Sequence, residues 1–466
     1  MVYQAKARAG RVHDRGKELD MERMARVAVI GGGLAGCECA VRLARAGVDV
    51  TLFEMRPGRR SPAHVGDGLA ELVCSNSFRS EEAETGVGLL KMEMRELGSV
   101  VMEAAEATRV PAGKALAVDR DLFSGRVTAA VRAEERIALV RREIASLDDA
   151  ALEGHAAVVV AAGPLASDAL SAGLAAAVGG EHLYFYDAIA PIVEADSVDL
   201  DVCWWGSRYR PEEKDYLNCP MDRDRYLAFR QALLDAEKAP ARAFEKEVHF
   251  EGCMPIEALA ERGEDTLAFG PFKPVGLEDP RTGAIHHAVV QLRPENRAKT
   301  HLNLVGCQTK LKYGEQERVF RSIPGLQNAV FTRFGSVHRN TFVDAPRVLG
   351  PDLALLARPG VHLAGQITGV EGYVESAACG LWLGIHLART LGGDGAAPTP
   401  PPATTALGSL LAHLRTEAKK FQPSNANFGL MPPLNRRAPK KVRKTLYAER
   451  ARSDFAAWLA ASGCGA

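Results

Sequence analysis

The chain has 466 residues, 47% hydrophobic and 25% charged, which is ample core material for two domains and excludes a disordered or fibrous protein. Its 58 basic and 58 acidic side chains cancel, so net charge points to no class of partner. No stretch approaches the roughly 18 uninterrupted apolar residues of a membrane span, and nine irregularly spaced cysteines offer no zinc quartet, so neither a membrane anchor nor a metal site is expected.

Residues 1–23 are polar and mixed in charge and read as a disordered leader outside the fold. Arg26–Ile30 is a β-branched strand, followed by glycines and by Leu34–Ala46 at helical spacing; Val48–Phe53 is a second strand. Strand, glycine turn, helix and strand make a βαβ unit. Ala156–Ala162 and Val361–Ala364 read as further buried strands, and Glu375–Leu391 as a helix. Rossmann-like pieces therefore lie on both sides of an aromatic- and proline-rich middle with hairpin-like segments such as His286–Arg293. The expected fold is α/β, a Rossmann-like nucleotide-binding domain (24–183 and 331–391) with an inserted α+β domain (184–330). A Gly/Ala/Pro linker (392–403) and a basic C-terminal segment (404–466) follow. Between Arg415 and Arg452 eleven basic residues face two acids, Glu417 and Glu449, a one-signed run that suits phosphate contact as well as a solvated helix face.

Gly31-x-Gly33-x-x-Gly36 follows a strand and opens a helix. Gly31 makes the tight turn, Gly32 and Gly33 let the backbone approach a pyrophosphate, and Gly36 permits close helix packing. Leu34 and Ala35 supply N–H groups at the helix N-terminus, where an anion is favoured. Glu54, ending the next strand, is placed to accept a ribose hydroxyl. A second glycine turn, Gly365, Gln366 and Ile367 within GQITG, follows a later strand of the same sheet and favours FAD over NAD. Two cysteines have chemical neighbourhoods. Cys74, in ELVCSNSFR, sits in a polar loop near Arg79; Cys253, in FEGCMPIE, is presented between Gly252 and Pro255. Each thiol is either a nucleophile or base, or a small buried hydrophobe. Cys37 and Cys39, on the first helix, read as packing residues.

Several ordered blocks occur together: GGGLAGCECA (Gly31–Ala40), ELVCSNS (Glu71–Ser77), KALAVDR (Lys114–Arg120), NCPM (Asn218–Met221), FEGCMPIE, FGPFKPVGL (Phe269–Leu277), RFGSVHRNT (Arg333–Thr341) and GQITGVEGYVESAA (Gly365–Ala378). In these the chain resembles the folate- and FAD-dependent tRNA uracil-5-methyltransferases, the TrmFO family, from about Val27 to Pro433. The resemblance implies methylation of the T-loop uridine of tRNA, with methylenetetrahydrofolate as carbon donor, reduced FAD as reductant and NAD(P)H regenerating the flavin in the cytoplasm. It also implies that Cys253 attacks uracil C6 and that Cys74 is its partner near the flavin, as base or in handling the methylene. Cys307 stands where a bulky aromatic is expected and Pro294 where a polar residue is. Neither is expected to touch the glycine loops or the two cysteines. The related wobble-uridine carboxymethylaminomethyl enzymes and a plain FAD oxidoreductase acting on a small metabolite are the competing readings. The first of these carries an additional helical C-terminal domain for which this sequence is expected to have no room.

Overall fold

The computed structural model describes residues 25–61, 63–179, 183–239, 254–392, 395–418, 421–435 and 438–465. The leader 1–23 and Cys253 lie outside the described residues.

Four consecutive buried side chains, Val27 to Ile30, mark β1 (Arg26–Ile30) as a strand covered on both faces, as a parallel sheet requires. It leads through the glycine loop to α1 (Leu34–Arg45) and β2 (Asp49–Glu54), with β3 (Ile137–Arg141) and β4 (Ala157–Val160) further on. β1 lies between β2 and β4 in parallel register, and β3 pairs with β2. The chain then leaves along Leu183–Ile189 and returns along Ser336–Phe342, and these two segments pair antiparallel. Between the crossings come β5 (Ile192–Glu194), β6 (Trp204–Trp205), β7 (Leu217–Met221), β8 (Ala288–Pro294), β9 (His301–Leu304), α2 (Tyr313–Phe320) and β10 (Phe331–Arg333). Their strands make an antiparallel sheet in the order β6-β7-β8-β9-β5-β10, over a separate core that includes Leu217, Val290, Leu302 and Phe320. After the return, β11 (Ala354–Leu355) and β12 (Arg358–Leu363) complete the first sheet in the order β11-β12-β4-β1-β2-β3. β12 runs parallel to β4, and β11 is an antiparallel edge.

The insertion ends later than residue 330. The turn at Pro324–Gly325 precedes one more strand of the inserted sheet, β10, so the return crossing begins at Ser336. The C-terminal segment packs against the first domain. Helix Ala406–His413 buries Ala406, Leu407, Leu410 and Leu411 in the first core, and the Glu93 carboxylate accepts its first N–H groups, from Ala406 at 2.8 Å and Leu407 at 2.7 Å. The last helix, α4 (Lys440–Ser462), buries Ala448, Ala451, Phe455 and Trp458, a spacing of three, four and three residues that the charge run conceals. Its first turns, with Lys440, Lys441, Arg443 and Lys444, are exposed. Among the described residues no helix is long and apolar enough to cross a membrane.

α3 (Tyr373–Leu391) packs directly on α1. Helix axes come this close because a side chain is missing at the crossing: a Cβ on Gly380 would stand 2.1 Å from the Ala35 carbonyl oxygen. That packing brings the turn at Gly365 to the glycine loop.

Candidate dinucleotide and thiol site

The first glycine loop is built by exclusion. Gly31 has φ +108°, and a Cβ there would meet the Ala161 carbonyl oxygen at 2.5 Å. A Cβ on Gly36 would stand 1.9 Å from the Gly31 oxygen, so this glycine lets α1 sit on the strand ends, and it does not line the cavity described below. Gly33 is different: a Cβ there would meet nothing within 4 Å, and it caps α1 with no side-chain hydrogen bond. The helix N-terminus thus faces open space with its backbone donors, the arrangement that receives a phosphate.

Gly31, Gly32, Gly33, Leu34, Ala35 and Glu54 line a cavity of about 430 Å³. Gly365 and Gln366 line it as well. Gly365 has φ +79°, and a Cβ there would press on Ala35 Cβ at 2.8 Å. Ile367 is wholly buried and faces the core; its carbonyl accepts from Val343 at 2.9 Å. Glu54 accepts from Gly32 N–H at 2.9 Å and from Arg56 N–H and Nε at 3.0 and 2.9 Å. Burial would raise its pKa, but the bonds from Arg56 outweigh that and hold it below the usual carboxylate range. Two adjoining glycine turns, one open helix N-terminus and an ionised carboxylate fit a dinucleotide such as FAD.

Cys74 stands in the wall of the same cavity. Its sulfur is 2.9 Å from the hydroxyl of Tyr373, the first residue of α3. That oxygen also accepts the N–H groups of Cys74 at 2.8 Å and Ser75 at 3.3 Å. With both lone pairs of the phenol oxygen engaged by backbone N–H groups, its proton is left to point at the sulfur. Burial and the neighbouring Cys74 push the Tyr373 pKa well up, so the hydroxyl keeps its proton.

The loop bearing Cys74 is clamped from the inserted domain, which sequence spacing did not reveal. Arg293 of β8 donates to Asn76 Oδ1 and Ser75 Oγ, both at 2.8 Å, and Asn76 Nδ2 donates to the Pro294 and Val118 carbonyls at 3.0 Å. Arg120 pairs with Glu295 and donates to the Leu72 carbonyl at 2.6 Å. Burial opposes the Arg120 charge, but Glu295 overcomes it and the pKa is raised. Pro294 lies against the Cys74 loop at Asn76, through a main-chain carbonyl that the change of side chain leaves in place. Cys307 is fully buried in the inserted core, where burial drives its thiol pKa up. Cys37 and Cys39 are likewise buried thiols on α1. Cys203 and Cys219 touch at 3.3 Å between their sulfurs, inside the inserted core. Among the described residues no cluster of His, Cys, Asp and Glu could hold a metal ion.

Sheet order, glycine turns and cavity define a Rossmann-type dinucleotide-binding protein with an antiparallel insertion. The family model described as glucose inhibited division protein A matches residues 26–394. A "Methylenetetrahydrofolate--tRNA-(uracil-5-)-methyltransferase TrmFO" of Oleidesulfovibrio alaskensis is 68% identical over 440 residues, covering 94% of this chain and 98% of the relative. The protein of the same name from Lawsonia intracellularis is 57% identical over 434 residues, covering 93% and 97%. The solved structure of Aquifex aeolicus GidA shares the fold at a TM-score of 0.64 and 17% identity, over 93% of this chain and 73% of that one. The chain belongs to the TrmFO family, within the wider glucose inhibited division protein A group.

Proposed function

We propose that this protein methylates C5 of the T-loop uridine of tRNA to give ribothymidine, taking the carbon from methylenetetrahydrofolate and using FAD as its bound reductant, with NAD(P)H restoring the flavin. One observation carries the reading: the Cys74 thiol lies in the wall of the cavity onto which both glycine turns open. The kinship with TrmFO proteins at 57% and 68% identity supports the substrate pair.

FAD, when bound and reduced, supplies the hydride equivalent that turns a methylene-level carbon into a methyl group. Gly33, Leu34 and Ala35 would hold its pyrophosphate at the head of α1, Glu54 would accept a ribose hydroxyl, and Gly365 and Gln366 would contact it from the second turn. The Cys253 thiolate adds to uracil C6, forming an S–C6 bond and pushing the C5=C6 electron pair toward C5, which becomes the nucleophile. After C5 bonds the methylene carbon, a base removes the C5 proton and tetrahydrofolate leaves from that carbon; a hydride equivalent added to the exocyclic methylene so formed makes the methyl group, expels the sulfur from C6 and restores the C5=C6 double bond. Cys74, with the Tyr373 hydroxyl donating to its sulfur, is the base. All eight described cysteines carry thiols rather than disulfides, which suits a reducing cytoplasm.

The test is incubation of the purified protein with labelled methylenetetrahydrofolate, NADPH, FAD and unmodified tRNA. Label is expected in T-loop 5-methyluridine. Its absence there would overturn the reading, and label at the anticodon would move the chain to wobble-uridine modification.

A further inference from the structure

Three aromatic rings on the inserted domain stack in parallel and end on an open face. Phe331 of β10 and Phe334 have centroids 5.4 Å apart and planes 8° apart, and Phe334 stacks on Tyr313 of α2 at 4.8 Å and 16°. The Arg321 guanidinium lies 5.9 Å over Phe331 at the inner end. Tyr313, at the outer end, is 60% exposed. A ladder that stops in solvent is unlike one enclosed in a core, because its last planar ring has no partner of its own kind.

The ladder is close to the chemistry in the chain's connections. Gln308 lines the dinucleotide cavity five residues before Tyr313. The stretch from Gln308 to Lys312 holds both ends of the segment that carries Cys253. Ala239 N–H donates to the Lys310 carbonyl at 2.7 Å and Lys312 N–H to the Glu237 carbonyl at 3.0 Å, while Ile256 N–H donates to the Gln308 carbonyl at 2.7 Å. From the other side of the ladder, Arg333 donates to the Ala63 carbonyl at 3.2 Å, next to His64 in the cavity wall. Beside Tyr313, Lys312 pairs with Glu237 in an exposed contact, a kind of pair that a phosphate can replace at little cost.

We propose that the outer face of Tyr313, backed by Phe334 and Phe331, is a stacking platform for an unpaired nucleobase of the RNA substrate, adjacent in the loop to the uridine offered to Cys253. The inference rests on the proposed methylation of tRNA. A uridine whose C6 is attacked must leave the loop stack, which strips its neighbours of a stacking partner. Aromatic side chains replace that partner in proteins that hold single-stranded RNA, and every base has a face to offer. A planar, parallel and preordered ladder fits a base better than the irregular surface of a protein partner.

The test uses the full-length, FAD-loaded protein and a T-arm RNA with 2-aminopurine beside the target uridine. Binding is expected to quench the fluorophore in the wild type and in Tyr313→Trp, and to leave it bright in Tyr313→Ala. The KM for RNA should rise about ten-fold in Tyr313→Ala, from the loss of one base–aromatic stack. Flavin content serves as the folding control for these exposed substitutions. If wild-type protein methylates the RNA while Tyr313→Ala keeps both its KM and its quench, the platform is overturned. If wild-type protein quenches the fluorophore but methylates nothing, the proposed reaction falls and the platform stands.

Discussion

Arg293 Nε donates to Asn76 Oδ1 at 2.8 Å, joining the inserted sheet to the Cys74 loop across 217 residues of sequence. Asn76 is fully buried, and its amide also bonds the Val118 and Pro294 carbonyls, so it has three partners and no water to replace them. Removing it leaves those groups unmet, at about 1–3 kcal/mol for each buried group. Asn76→Ala is expected to lower the melting temperature by several degrees and the methylation rate more than tenfold. Thermal melts and turnover measured together check this. Unchanged turnover would show that the clamp does not position Cys74.

Gly380 on α3 touches the Ala35 carbonyl of α1 so closely that a methyl group would stand 2.1 Å from the oxygen. Ala35 in turn contacts Gly365, so this crossing sets the width of the dinucleotide cradle. The obstacle is backbone rather than a movable side chain, and Gly380→Ala is expected to cost about 1–3 kcal/mol through overpacking. Bound flavin, read from its visible absorbance, should fall further than stability. Full flavin occupancy in this variant would mean that the two turns are held apart by other contacts.

Cys74 and Tyr373 form one unit in the cavity wall. Cys253→Ala and Cys74→Ala are each expected to abolish methylation while the protein stays yellow with flavin. Tyr373→Phe removes the donor to the Cys74 sulfur and the acceptor for two N–H groups. It should slow methylation about tenfold or more, at the lower end of what a positioned proton-transfer group contributes. Full activity in Cys74→Ala would return that thiol to a packing role.

His64 gives the site a sign in its pH dependence. Burial, and then the nearby Arg56 charge, lower its pKa from 6.5 to about 4. As pH falls, the unfolded chain therefore takes up this proton first. The stability gained by keeping the imidazole neutral is fully present above pH 6.5 and is lost as pH falls toward 4. Denaturant midpoints across that window should decline in the wild type and flatten in His64→Gln. An identical decline in both proteins would assign it to other groups.

The glycine turns were legible in the sequence because their cause is local: a strand end, a sharp turn and a helix start need glycines at set intervals. Cys74 was legible as a candidate, but its surroundings were not. Tyr373 lies 299 residues away, and Arg293 reaches the loop from another domain. No spacing rule links such positions, although Arg120 and Tyr373 both fell within blocks shared with the family. The apolar seat of the C-terminal segment was not legible for a different reason. Charge dominates its composition, while the four apolar residues that seat α4 are spread over three turns.

The start of α4 gathers four exposed members of that basic run, Lys440, Lys441, Arg443 and Lys444. Cations in this position act on RNA through phosphate, by releasing counterions, so their contribution is read in the salt dependence of binding rather than in one affinity. Replacing Lys440, Lys441 and Lys444 with glutamate is expected to weaken tRNA binding and to reduce the slope of log affinity against log salt by about 2. Flavin content and the melting temperature should hold, since the buried residues of α4 begin at Ala448. Equilibrium binding at several salt concentrations decides the matter. A variant with the wild-type slope would make these lysines a solvated helix face and leave RNA contact to the inserted domain.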